Sequence, residues 1–297
     1  MQAVWSFWTK PYRAHHHGVW LTDAHHLFAW VLSVETAKRH YDRTCLVTDD
    51  DGAQLLVGRL GLEFTSVSTA LTALRDANPA WWVLGKLWAY RLQSQPFVHI
   101  DNDVFLWKRL PERVERAAVF AQNPEWFPAE GESWYRPHAF DRAFRTYSGW
   151  TPDEWRWYTA RRGSEAICCG ILGGTHVRFL SYYARLAIEM IEHPHNAAAS
   201  RSLGSCIGDN ILFEQYLLAA CLAYHADAER SRFGTMDVAY IFESTDAAFD
   251  ETQARQAGYT HLIGGAKSNR ALAARLEMRV RRDYPDLYHR ALRCATF

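Results

Sequence analysis

The chain reads as a single α/β domain, with a mostly parallel central sheet flanked by helices and one aromatic-rich insertion. Three observations lead there. Short apolar runs rich in β-branched and aromatic residues alternate with segments of helical periodicity, the pattern of successive βαβ units. Two of those runs end in acidic clusters, Asp49-Asp50-Asp51 and Asp101-Asn102-Asp103, and parallel sheets bind ligands outside the carboxyl ends of their strands. Finally, 297 residues with 48% hydrophobic and 22% charged content suit a folded domain with a large core rather than a disordered chain.

In order, Ala3-Val4-Trp5-Ser6-Phe7-Trp8 is a first strand, stopped at Lys10-Pro11. His15-His16-His17 follows in a solvated loop. A helix spans 22–40, capped by Thr22 or Asp23, with Leu27, Trp30, Val31 and Val34 on one face. Thr44-Cys45-Leu46-Val47-Thr48 is the second strand. Leu55, Leu56 and Leu60 mark a short helix that Gly61 can end, and Phe64-Thr65-Ser66-Val67 is a weaker third strand. A helix over 81–93 carries Lys86, which either reaches the rim of the sheet or faces solvent. The central strand then runs through 97–107, and alternation along it would point Asp101 and Asp103 to one side, able to grip a hard cation together. A pair of acids facing water would look the same in sequence. Phe7, Trp8, Thr48, Asp49, Asp101 and Asp103 are expected on one rim.

The pattern breaks over 123–163, where Trp126, Trp134, Trp150, Trp155 and Trp157 sit among Pro and Gly. Two short helices, near 138–147 and 152–162, fit there. The stretch suits either an acceptor platform beside the rim or a small core of its own. Residues 166–174 form a strand closed by a glycine turn, Gly173-Gly174, where a backbone could approach a ligand closely. Helices follow over 175–192 and 209–225; the second starts at Asp209-Asn210 and carries Glu214-Gln215. A strand over 238–242 precedes His261-Leu262-Ile263-Gly264-Gly265-Ala266-Lys267 and a final helix from Asn269. That helix and its tail hold Arg270, Arg275, Arg279, Arg281, Arg282, Arg290 and Arg293, either a solvated face or a contact for anionic lipid or an acidic acceptor.

Composition narrows the function. A net charge of zero argues against a nucleic-acid binder. The six cysteines include no C-x-x-C pair, which argues against structural zinc and fits reduced thiols in a cytoplasmic protein. No signal pattern opens the chain and no apolar run nears the ~18 residues of a membrane span, although peripheral membrane contact stays open. Chemistry concentrates in Asp101-x-Asp103, in the glycine strand, and in His261-x-x-Gly264-x-x-Lys267. A diphosphate leaving group gains charge as its bond breaks, and a cation held by carboxylates and histidine, with a lysine beside it, stabilises that charge.

These motifs resemble the GT-A glycosyltransferases, especially the retaining group containing glycogenin and lipopolysaccharide galactosyltransferases. In that group D-x-D and H-x-x-G-x-x-K jointly hold manganese and a nucleotide diphosphate. The whole chain also looks like an uncharacterised bacterial glycosyltransferase-like family with a Ser-Phe-Trp opening and an Ile-Asp-x-Asp-Val-Phe centre. The resemblance implies one GT-A domain over 1–297, with a nucleotide-binding half over 1–122, the insertion, and an acceptor and metal-completing half over 164–297. It implies Mn²⁺ or Mg²⁺ on Asp101, Asp103 and His261, and a UDP-sugar donor. Phe7, Trp8, Thr48, Asp49, Lys86, Asp101, Asn102, Gly173, Gly174, Gly264 and Lys267 would contact that donor, Asp49 at its base or ribose. Transfer would go to a hydroxyl of a glycan, peptide or small molecule.

Three departures stand out. Ser268-Asn269 follows the lysine in place of Pro-Trp, Cys168-Cys169-Gly170 stands for Asn-x-Gly, and Glu214-Gln215 for Asp-Gln. Under retention Glu214 or Gln215 would steady the oxocarbenium ion; under inversion Glu214 or Asp209 would be the base, although Asp209 also suits a helix cap. A metal-dependent phosphohydrolase and a non-catalytic nucleotide-sugar binder are the competing classes.

Overall fold

The computed structural model describes residues 1–14, 20–128, 134–203 and 209–295. His15, His16 and His17 lie outside them. Strands β1 (Gln2–Phe7), β2 (Thr44–Thr48), β3 (Ser66–Ser68), β4 (Phe97–Ile100), β6 (Val119–Trp126), β7 (Glu165–Gly174) and β8 (Val238–Tyr240) form a seven-stranded sheet ordered β3-β2-β1-β4-β7-β6-β8. Only β7 runs against its neighbours. The expectation of an α/β domain with a mostly parallel sheet holds. A second, two-stranded antiparallel sheet pairs β5 (Val104–Leu106) with β9 (Tyr259–His261).

β2 and β4 are buried along their whole length, which is why they read as unbroken apolar runs, whereas the edge strands β3 and β8 are not. On one face, Ala3, Trp5 and Phe7 pack with Phe28 and Trp30 of α1 (Asp23–Ala37), whose first turn Thr22 caps by accepting from the His25 amide. The other face is covered by α2 (Leu84–Arg91), α5 (Val177–Glu192) and α6 (Leu217–His225). Between β6 and β7, α3 (Pro137–Thr146) and α4 (Asp153–Ala160) bring Phe140, Phe144 and Trp155 into that core against Phe213 and Tyr216. Most of the aromatic insertion is therefore core; among the described residues Trp126, Trp134 and Tyr147 are its exposed members, at 70%, 86% and 47%.

Helices α7 (Arg270–Asp283) and α8 (Pro285–Cys294) close the first face through Leu276, Val280, Tyr288 and Ala291, leaving Arg275, Arg281 and Arg282 outside. Among the described residues, Cys45, Cys168, Cys169, Cys221 and Cys294 are free thiols, and no helix is long and apolar enough to cross a membrane.

Register places the rim. Phe7 lies opposite Thr48, and Val4 opposite His99, so the ends of β1, β2 and β4 share one edge as expected. β7 runs the other way, pairing Gly174 with Phe97 and Ile171 with Ile100.

Candidate metal centre

The acidic pair does not lie on a continuous strand. β4 ends at Ile100, and the Val104 amide donates to the Asp101 carbonyl (3.0 Å), turning the chain out of the main sheet and into β5. The Ser33 hydroxyl donates to the same carbonyl (3.0 Å), and the Asp101 amide donates to the Gly170 carbonyl (3.0 Å). The two carboxylates converge because of this turn, not because of strand alternation. Pairing of β5 with β9 then sets Val104 opposite His261, and the Leu262 amide donates to the Asp103 carbonyl (3.0 Å). Asp101, Asp103 and His261 thus each offer a ligand atom within 4.8 Å of the others.

Gln122 orients the histidine. Its Oε1 accepts from the Tyr259 hydroxyl (2.6 Å) and faces His261 Nδ1 at 2.7 Å. An amide oxygen can only accept, so Nδ1 carries the proton and Nε2, which lies 3.4 Å from Asp103 Oδ1, presents its lone pair to the site. Gly170 makes the room: a Cβ there would stand 2.4 Å from His261 Cε1 and 2.8 Å from Gln122 Oε1.

Two lysines flank the carboxylates. Lys267 Nζ is 2.6 Å from Asp103 Oδ2, and Lys86 Nζ is 2.9 Å from Asp101 Oδ2 and 2.6 Å from Glu214 Oε1. Lys86 also donates to the Cys169 carbonyl (3.1 Å), and the Tyr90 hydroxyl donates to Glu214 Oε1 (2.9 Å). Glu214 sits in a π-helical turn, Leu212–Tyr216, a distortion often found at functional sites. Burial would lower the Lys86 pKa, but Asp101 and Glu214 outweigh it and keep the amine charged. Burial, with Asp103 and Glu214 adding to it, outweighs Lys86 at Asp101 and pushes that carboxyl up to about 6. At Asp103 burial is overcome chiefly by Lys267, which holds the carboxyl well below the usual carboxylate range. His99, buried and beside Lys86, is pushed well below an ordinary histidine and stays neutral.

The donor set fits a divalent cation. Asp103 Oδ1 and Glu214 Oε2, both carboxylate oxygens on residues paired with the flanking lysines, are buried without a hydrogen-bond partner. Three carboxylates, Asp101, Asp103 and Glu214, face two ammonium groups, Lys86 and Lys267, so acidic groups outnumber basic side-chain ammoniums at the site. Carboxylate oxygens with one imidazole suit Mn²⁺ or Mg²⁺.

A family model described as a family of unknown function, DUF6734, matches residues 1–294. The chain belongs to the DUF6734 family. No curated protein matches it.

In this DUF6734 chain the other predicted residues divide. Asn102 lies in the turn between the two carboxylates with its Nδ2 buried, and Gly264 takes φ +53° with open space where a Cβ would stand. Lys267, expected on a phosphate, is paired with Asp103. Gly173 and Gly174 do not belong: they pair with Val98 and Phe97 at the start of β4, the opposite end from Asp101. Their glycines serve sheet packing, since a Cβ on Gly173 would meet the Phe97 carbonyl at 2.2 Å and Gly174 takes φ +154°. Thr48 is buried and donates to the Phe7 carbonyl (2.6 Å). Phe7 and Trp8 are core, at 6% and 5% exposure, so neither offers a face to a base.

Asp49 caps the turn that begins at Asp50, accepting from the Gly52 amide (2.8 Å), while its other oxygen accepts from the amide and hydroxyl of Thr9 (2.9 and 2.7 Å). Asp209 lies beside Arg136 at 3.4 Å rather than with the triad, and Gln215 accepts from Tyr135, which also contacts Glu125. Gln122, His99 and the role of Gly170 were not foreseen. Gln122 lies in β6, a strand to which the sequence pattern assigns no element, and His99 stands in an otherwise apolar strand.

Proposed function

We propose that this chain is a metal-dependent glycosyltransferase of GT-A type, transferring a sugar from a UDP-sugar to a hydroxyl-bearing acceptor. The observation that carries the reading is the convergence of Asp101, Asp103 and His261, about 160 residues apart in sequence, with a lysine against each carboxylate. Asp101, Asp103 through Oδ1, and His261 through Nε2 would hold Mn²⁺ or Mg²⁺, which supplies Lewis-acid charge against a leaving diphosphate. Gln122 keeps the His261 proton on Nδ1, away from the ligand position. Lys86 and Lys267 add positive charge fixed in place before reaction, so little reorganisation is needed as the phosphate leaves. Glu214, held by Lys86 and Tyr90, is the carboxylate suited to steady positive charge on the sugar. The resemblance favours retention, in which the leaving phosphate takes the acceptor proton. Asp209 is set aside as a base because it lies with Arg136.

A thermal-shift screen of UDP-, GDP- and CDP-sugars with Mn²⁺ tests the donor. A UDP-sugar should raise Tm, and Asp103→Ala should abolish the metal-dependent part. Absence of a shift with every nucleotide would sink the donor assignment. Mass spectrometry of the acceptor then separates transfer from hydrolysis: a gained hexose mass supports a transferase, whereas donor consumption alone does not discriminate, because glycosyltransferases also hydrolyse their donors slowly.

A further inference from the structure

A groove lies at the far end of the sheet from the metal centre, beside the start of β4. A groove of about 530 Å³ runs between the end of α2 and the start of α5, lined by Gln93, Ser94, Arg178, Ser181, Arg185 and Arg232, with Tyr182 and Phe233 as its floor. Gln93 is seven residues beyond Lys86, about 10 Å along the helical direction. Arg178, Arg185 and Arg232 are exposed, and none has a carboxylate within ion-pair distance among the described residues.

The groove is organised in advance. His176 Nδ1 caps α5 by accepting from the Phe179 amide (3.2 Å), which leaves the proton on Nε2 to donate to the Phe233 carbonyl (3.2 Å). That bond fixes the segment carrying Arg232 against the helix. Phe233 packs edge-on to Phe179 at 5.4 Å and lies 5.1 Å from Tyr182, ring to ring. Arg185 and Arg232 stack on Tyr182 at 5.5 and 5.2 Å, which restrains two long side chains that would otherwise lose entropy on binding.

Charge and spacing define the ligand. Arg178 and Arg185 are two helical turns apart on one face, about 10 Å along the axis, too far to share one phosphate. They would take two separated anionic groups, each suited to a guanidinium fork. Gln93, Ser94 and Ser181 line the same groove; Gln93 Nε2 and the Ser181 hydroxyl donate to the Ala89 and Arg91 carbonyls, which leaves their oxygens to accept from hydroxyls. Tyr182 is already covered by Arg185 and Arg232, which leaves its ring little room to stack a nucleic-acid base. We infer that this groove binds an extended acidic oligosaccharide, with carboxylate groups on Arg178 and Arg185 and a third contact on Arg232. The inference is independent of the metal centre.

Fluorescence polarisation with a labelled hexagalacturonate and the full chain tests it. The wild type should bind with an affinity that falls as salt rises. Arg178→Ala and Arg185→Ala should each weaken binding about fivefold, and the double variant about 25-fold, with Tm unchanged because both are surface residues. Neutral maltohexaose should not compete. Lack of binding, equal binding by the double variant, or equal competition by maltohexaose would overturn the inference. Tripolyphosphate or a deoxythymidine decamer binding more tightly than hexagalacturonate in an arginine-dependent way would replace the acidic sugar with a different polyanion and overturn the assignment.

Discussion

Alanine in place of Gly170 perturbs the metal centre without removing a ligand. The new Cβ would stand 2.4 Å from His261 Cε1, 2.5 Å from Nδ1 and 2.8 Å from Gln122 Oε1. Carbon contacts settle near 3.5–4.0 Å, so the imidazole must retreat by about 1 Å. That movement breaks the 2.7 Å contact holding Nδ1 and carries Nε2 away from Asp103. Losing such an orienting partner costs about 10–100-fold in metal affinity, or ~1.4–2.8 kcal/mol of binding. Fold stability should suffer less, about 1 kcal/mol, because the clashing atoms belong to side chains. Isothermal titration with Mn²⁺ measures the first quantity and urea unfolding the second. Unchanged Mn²⁺ affinity in a folded Gly170→Ala variant would show that His261 is not a ligand. Gly173→Ala makes the contrast: its Cβ would meet backbone at 2.2 Å, so it should destabilise the fold while any folded fraction keeps its Mn²⁺ affinity.

Acidity offers a second test. Asp101 is raised from 3.8 to about 6, so between those values the folded chain holds a proton that the unfolded chain has released; its contribution to stability is present at low pH and is lost as pH rises through about 6. Cation binding must displace that proton, so Mn²⁺ affinity should rise about tenfold per pH unit up to 6 and flatten above it; a flat profile between pH 5 and 7 would remove Asp101 from the ligand set. Lys86→Met should destabilise by about 3–5 kcal/mol in urea, since it strands Asp101 and Glu214 in the interior, and adding Glu214→Gln should restore part of the loss. A loss under ~1 kcal/mol would mean that the buried ion pairs do not support the fold. Asp49→Ala should cost about 1–2 kcal/mol through the lost cap and leave Mn²⁺ affinity unchanged; a drop in affinity would return Asp49 to the site.

Much of the scaffold was legible because local signals agreed. β2 was read at its observed bounds, and the Thr22 cap opened α1 as predicted. β6 was missed because Gln122-Asn123-Pro124-Glu125 breaks the apolar pattern, although β7 and β8 flank the strand and bury most of it. The same break hid Gln122, whose partner His261 is far away in sequence. Glycines misled for a related reason. Gly170 and Gly173 lie in one strand, and only register tells that the first faces the histidine while the second lies close against β4.

Residue types and spacing by themselves determined an α/β chain with an acidic strand end and a distant His-Gly-Lys segment that could share a cation. They also singled out Lys86 and Glu214. The tertiary structure decided how these meet. The turn at Asp101 directs the chain into β5, and the β5–β9 register brings His261 beside Asp103. A slip of one residue in that pairing would turn His261 to the other side. Backbone pairing between segments so far apart leaves no trace in local periodicity, and the charge balance of the site follows from it.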